Sequence, residues 1–278
     1  DLRTDITFRN RGPAPALTVI VRDHPRDVVR DLARLTGRMQ MPPRWALGYH
    51  QCRWSYEPQA RVMELAAEFR ERGMPCDAIW LDIDYMNGFR CFTFDDEKFP
   101  DPAEMNERLH AKGFRTVFMI DPGIKVDPAY SVYAAGSDGN HFVKDDEGRE
   151  YNGKVWPGMC AFPDFTRART RAWWASLYKD FLAKGVDGVW NDMNEPAVFD
   201  VPGKTMPDIN PHDADAELGG PGQACDGFPF PGHDLCGFAD DGFLQIIIPV
   251  AQALVAFPQR QHGAHAGVEF MAVDGLGE

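Results

Sequence analysis

Five carboxylates stand out for where they fall along the chain: Asp82 and Asp84, Asp121, and Asp192 and Glu195. Each group follows an apolar run, AIWL before Asp82, FRTVFMI before Asp121 and GVWN before Asp192. A single aspartate in such a place serves equally well as a helix cap or a loop acceptor. Recurrence after three runs has no structural motive and points to one shared site. Carboxylates gathered in that way can attack a carbon centre, or give and take protons. Asp192, flanked by asparagine amides, suits a group that stays ionised as a nucleophile. Period-two alternation sends Asp192 and Asn194 to one side and Asn191, Met193 and Glu195 to the other, so Glu195 is expected to orient Asp192 or bond a neighbouring strand.

Other chemistries have less support. Asp82-Ile83-Asp84 matches the D-x-D of metal-dependent sugar transferases, but three-residue matches are cheap, and no histidine or second acidic cluster stands at ligand spacing. Neither a metal nor another cofactor is expected. The eight histidines form no H-x-x-x-H pair, and no G-x-G-x-x-G follows an apolar run. Six cysteines without a C-x-x-C pair fit neither a zinc site nor a disulfide scaffold, and a reducing, cytoplasmic setting is the default. Trp156, in EYNGKVWPGMCAFPDF, lies in a polar stretch where an aromatic could be a platform for the C–H face of a sugar or a buried packing residue. Trp173 and Trp174 sit in a helical pattern and read as packing residues.

The elements that would position the carboxylates alternate regularly. The runs Trp45–Cys52, Ala78–Met86, Phe114–Gly123 and Gly188–Glu195 read as buried parallel strands. Between them, Glu57–Gly73, Asp101–Gly113 and Thr166–Gly185 read as helices closing on glycine. This is an α/β pattern of barrel type, with four units visible. Residues Pro122–Pro163 read as a long Gly-rich loop insertion of the kind that walls an active site. TDITFRNRG and ALTVIVRDH alternate like antiparallel strands at the end of a preceding β-domain, followed by a connecting helix in HPRDVVRDLARLTGRM. The expected domains are 1–41, 42–211 and an atypical segment 212–278.

A net charge of −13 argues against a nucleic-acid partner. The longest apolar run, Phe243–Phe257, contains a proline and falls short of the ~20 residues of a membrane span, so it reads as a buried element. A small molecule is the expected partner, and oligomeric state is not legible.

GVWNDMNEPAVF resembles the nucleophile signature of glycoside hydrolase family 31, the retaining α-glucosidases and their relatives. PPRWALGYHQCRWSY, CDAIWLDIDYM with FTFDDEKFPDP, TVFMIDPGI and VWPGMCAFPDF agree in order, over about Asp1–Pro211. The resemblance implies a β-sandwich followed by a (β/α)8 barrel, with the first four or so units present here, and a carbohydrate substrate. It implies Asp192 as nucleophile, Met193 beside it and Asp82 binding the hydroxyls of the reacting sugar. Ile83 and Ile120 would form apolar wall, Trp156 the aromatic platform, and Trp54 would stand near the leaving-group sugar. The family's acid/base aspartate, in a W-x-G-D-N-like segment far downstream, has no match in this sequence. A truncated, frame-shifted or fused gene product is the expectation, with a half barrel that exposes a sheet edge and aggregates. A carbohydrate-binding remnant without turnover, or an α-xylosidase-type member, is the alternative.

Overall fold

The computed structural model describes residues 18–39, 41–194 and 197–213, and the backbone of 221–224. The expected strand TDITFRNRG, Glu195, the apolar run Phe243–Phe257 and most of the atypical segment 212–278 lie outside the described residues. The described residues fall into two compact units, those up to Met41 and those from Pro42 onward.

In the first unit the expected connecting helix is α1, Pro25–Thr36. Proline at its start has no amide to satisfy, the His24 ring accepts the Arg26 N–H at 3.2 Å, and Gly37 at φ 91° closes it. The expected strand ALTVIVRDH is not formed over residues 18–24. Its alternation supplies strand propensity, but among the described residues no strand pairs with it; Arg22 pairs with Asp31 of α1 at 2.7 Å and bonds the Val21 carbonyl.

The second unit opens with a 3-10 turn, Arg44–Leu47, and a two-residue strand β1, His50–Gln51. The longer strand expected over Trp45–Cys52 is absent because the N–H groups of Ala46 and Gly48 return to the carbonyls of Pro43 and Trp45. Helix α2 (Gln59–Glu71), strand β2 (Ala78–Leu81), helix α3 (Pro102–Ala111) and strand β3 (Arg115–Ile120) follow. Asp101 caps α3 by accepting the Glu104 N–H at 2.9 Å, and Pro102 fills its first turn. Gly73 and Gly113, at φ 64° and 77°, reverse the chain after α2 and α3 as their positions forecast. Strand β3 is buried from Thr116 to Ile120, the pattern of a strand covered on both faces.

The stretch Pro122–Pro163 is not the loop expected. It contains strand β4 (Ile124–Lys125), helix α4 (Ser131–Asp138), strand β5 (Asn152–Val155) and strand β6 (Gly158–Ala161). The strands form an antiparallel sheet in the order β4-β6-β5. They cover a second apolar cluster that includes Val143, Val155, Cys160, Phe162, Val198 and Met206. Strands this short, broken by glycine, leave almost no period to read.

Helix α5 (Ala168–Leu182) is followed by Gly185, φ 83°, where the chain turns into β7, Gly188–Asn191. Strands β1, β2, β3 and β7 form one parallel sheet in that order. Among the described residues this is the partial barrel the alternation implied. Beyond it, β8 (Pro211–Asp213) pairs with β9 (Pro221–Ala224). Buried Asp164 receives hydrogen bonds from the hydroxyl of Thr166 at 2.5 Å and the amide of Asp213 at 3.0 Å, and its Oδ1 lies 3.0 Å from Nδ1 of His212. Burial alone would push this carboxyl up, but His212, Thr166 and the Arg167 guanidinium together hold it below the usual carboxylate range.

The hairpin β5–β6 is tied to the chain beyond β7. The Phe199 N–H donates to the Lys154 carbonyl at 2.8 Å, and a Cβ on Gly153 would stand 2.7 Å from Cγ1 of Val198. Gly153→Val is therefore expected to overpack this contact, at a cost of about 1–3 kcal/mol. The check is a chemical unfolding curve of the variant against the wild type; an unchanged midpoint would show that the hairpin is not held there.

Candidate active site

Strands β2, β3 and β7 end at Leu81, Ile120 and Asn191, so Asp82, Asp121 and Asp192 are each the first residue past a strand. Parallel pairing puts all three at one edge of one sheet, with Ile120 opposite Asn191. That edge carries the chemistry in (β/α) barrels. The expected alternation past the strand does not occur: β7 does not extend past Asn191, and Met193 takes φ 55°, so no strand carries Asp192 and Asn194 to a common face.

Asp82 and Asp192 share one local arrangement. The Oδ1 of Asp82 accepts the N–H of Ile83 at 2.7 Å, and the Oδ1 of Asp192 accepts the N–H of Met193 at 2.9 Å. Each carboxylate thereby has one oxygen oriented by the backbone N–H of the residue that follows it. Backbone ties make the mounts firm: the Asp192 N–H donates to Ile120 O at 3.1 Å, and the hydroxyl of buried Tyr85 donates to Met119 O at 2.6 Å. Burial raises the pKa of Asp192, against the opposing pull of the Met193 N–H. Burial also raises that of Asp82, with the charges of Asp192 and Asp84 adding to the effect. Two carboxylates that repel each other in a half-buried setting are common at functional sites. Asp121 differs: it is buried at 3% exposure, and its carbonyl accepts the Cys91 thiol at 3.0 Å, which places it in the packing beneath the edge.

The aromatic residues separate in the same way. Trp156 occupies the β5–β6 turn, 42% exposed, with its ring 5.6 Å from that of Trp54 and 5.1 Å from that of Phe199, both edge-to-face. Trp54 is 65% exposed. Trp80 and Trp190 pack together at 5.7 Å, and Trp80 Nε1 donates to His50. Trp173 and Trp174 pack against the main core as their helical setting implied, Trp173 stacking on His141 at 4.7 Å. Ile83 and Ile120 lie in that core, and Met193 is half-buried beside Asp192. The structure thus gathers Asp82, Asp192 and Met193 at the strand ends and joins Trp54 to Trp156. Phe199, Ser55 and the bonds made by Asp84 are not legible in the sequence, because nothing in their spacing shows contacts made across 29 to 43 residues. Among the described residues no group of three or more histidines, cysteines or acids could hold a metal ion. None of the described helices is long and apolar enough to cross a membrane.

The raised carboxyls carry a stability consequence with a definite sign. A carboxyl whose folded pKa lies above its unfolded value penalises the folded state once ionised, so its contribution is intact at low pH and lost as pH rises through the folded pKa. Asp192→Asn removes that penalty and relieves Asp82. The variant should be slightly more stable at neutral pH, with no difference near pH 3. Denaturant titrations at the two pH values check this; a variant less stable at neutral pH would contradict it.

Comparison with known proteins bears on what the edge is for. Residues 39–221 match the model of the glycosyl hydrolases family 31 TIM-barrel domain. The chain belongs to this family. It is 46% identical over 210 residues to alpha-glucosidase 2 of Bacillus thermoamyloliquefaciens, a match covering 76% of this chain and 27% of that enzyme. A family 31 alpha-glucosidase from Bacteroides thetaiotaomicron superposes with a TM-score of 0.62 at 56% identity, over 68% of this chain and 32% of the other. The DNJ-bound glucosidase II alpha subunit gives 0.65 at 39% identity, over 68% and 21%. The family 31 chain described here thus spans about a quarter of the length of the curated relatives it matches.

Proposed function

We propose that this chain carries the nucleophile half of a retaining α-glucosidase site that accepts terminal α-linked glucose. The observation that carries the reading is Asp192: first residue past β7, one oxygen held by the Met193 N–H, half-buried beside a second carboxylate, within the stretch of chain that matches the family. In this reading the second oxygen of Asp192 attacks the anomeric carbon as the bond to the leaving group breaks, through a transition state with oxocarbenium character. Burial supports the role, because a carboxylate stripped of part of its water is a stronger base and nucleophile. Asp82, oriented by Ile83, accepts hydrogen bonds from the sugar hydroxyls and offsets the positive charge that develops at the ring. Trp156 and Trp54 supply faces for sugar C–H groups. Glu195 supports Asp192.

Retention requires a second carboxylic acid about 5 Å from the nucleophile to protonate the leaving oxygen. No segment of the 278 residues resembles the one in which the family carries it. The reading therefore assigns this chain capture of the glucosyl group from a leaving group that departs without a proton. Six thinly spread cysteines without a C-x-x-C pair support a reducing, cytoplasmic setting.

The test is intact-mass measurement after exposure to a ring-fluorinated α-glucosyl fluoride. The C1–F bond breaks, fluoride leaves with the electron pair, and a C1–O bond forms to a carboxylate. One fluoroglucosyl group per chain is expected. Glucose binding with no adduct would favour a carbohydrate-binding role without turnover, and faster capture from the xylosyl analogue would reassign the sugar.

A further inference from the structure

We infer that Asp84 is a positioning residue that sets how the site receives the sugar on the leaving-group side, by holding the indole of Trp54 against Trp156. The inference rests on the glucosidase reading above and adds to it a specificity-determining residue.

A tryptophan 65% exposed should sample several rotamers, yet Trp54 is fixed by a single acceptor. Its Nε1–H donates to Oδ2 of Asp84 at 2.9 Å. The hydroxyl of Ser55 donates to the same oxygen. Ser55 stands at φ 50°, in the left-handed region that a residue with a Cβ enters only at a cost, so the backbone that presents Trp54 also depends on a local hydrogen bond. One carboxylate oxygen thus captures both the side chain of Trp54 and the turn that carries it.

The mount beneath Asp84 is rigid. Asp84 is the middle residue of the 3-10 turn Ile83–Tyr85, whose first N–H is accepted by Asp82 and whose Tyr85, at 1% exposure, is anchored to Met119. One turn therefore bears two carboxylates with different tasks, Asp82 toward the reacting sugar and Asp84 toward the aromatic rim. The rim is continuous: Trp54 from the segment between β1 and α2, Trp156 from the β5–β6 turn and Phe199 from beyond β7 meet edge-to-face in succession. Releasing Trp54 leaves Trp156 held on one side only. The loss should fall on the sugar beyond the scissile bond, since the reacting sugar is held by Asp82 and Asp192.

Asp84→Ala and Asp84→Asn separate this from a structural role, because an asparagine carbonyl still accepts both hydrogen bonds. Maltose affinity, measured by titration calorimetry, is expected to fall about tenfold in the alanine variant, well beyond any fall in capture of the glucosyl fluoride, which has no second sugar. Asparagine should restore most of the affinity. Exchange of the Trp54 indole proton, assigned through Trp54→Phe, should accelerate about fivefold in the alanine variant and little in the asparagine one. Unchanged indole exchange would overturn the clamp whatever the sugars do. An equal loss of maltose binding and capture, without rescue by asparagine, would overturn the specificity role. If no form binds maltose although indole exchange responds as expected, the clamp holds and the leaving-side sugar role fails. Failure of wild-type capture would instead fall on the glucosidase reading.

Discussion

Replacing Asp192 by asparagine is expected to abolish capture of the fluoroglucosyl group, with a fall of about 10⁴-fold or more in labelling rate, the scale seen when a covalent nucleophile is removed. An amide oxygen can still accept the Met193 N–H that orients this side chain, so the turn after β7 should survive. The variant is also expected to be slightly more stable at neutral pH, so the loss could not be assigned to unfolding. The pH dependence has the opposite sense to the stability effect. Attack needs the ionised form, and burial holds this carboxyl above the ordinary range. Wild-type labelling should therefore be flat at neutral pH and fall as acid protonates Asp192, with a midpoint above that of a solvated aspartate. A labelling rate that rose with acid would mean that the reacting group is not a carboxylate of this kind.

The second large effect concerns the leaving group. A positioned acid contributes about 10² to 10⁴ in rate where the departing oxygen needs a proton. A chain with Asp192 but no such acid should release no measurable glucose from maltose, while an aryl α-glucoside with a strongly acidic phenol should give one equivalent of phenol in a burst. The burst should be lost in Asp192→Asn. Steady glucose release from maltose would show that an acid is present.

What could be read in advance followed from periodicity and from position at strand ends. The runs before Asp82, Asp121 and Asp192 are dense enough in buried β-formers to mark β2, β3 and β7, and glycines at positive φ mark the ends of α2, α3 and α5. Convergence of Asp82 and Asp192 was legible because parallel strands deliver their ends to one edge. Three features were not. The sheet β4-β6-β5 has strands of two to four residues, too short for a period, and its close approach at Gly153 depends on Val198, forty-five positions away. The first run broke into a turn because backbone bonds to Pro43 and Trp45 outweighed the strand propensity of its aromatics. The division of labour between Asp82 and Asp84 could not be seen, since a D-x-D triplet does not tell which carboxylate meets an indole thirty residues upstream. Asp121 shows the converse: placed as favourably as the others by position, it is buried in packing.

The central claim is that the carboxylate of Asp192 forms the bond to the sugar. It is tested most directly by digesting the chain after treatment with the ring-fluorinated α-glucosyl fluoride and sequencing the modified peptide by tandem mass spectrometry. One adduct is expected, on the peptide containing GVWNDMNEPAVF and localised to Asp192. An adduct on Asp82, Asp84 or Glu195, or undiminished labelling of Asp192→Asn, would contradict it.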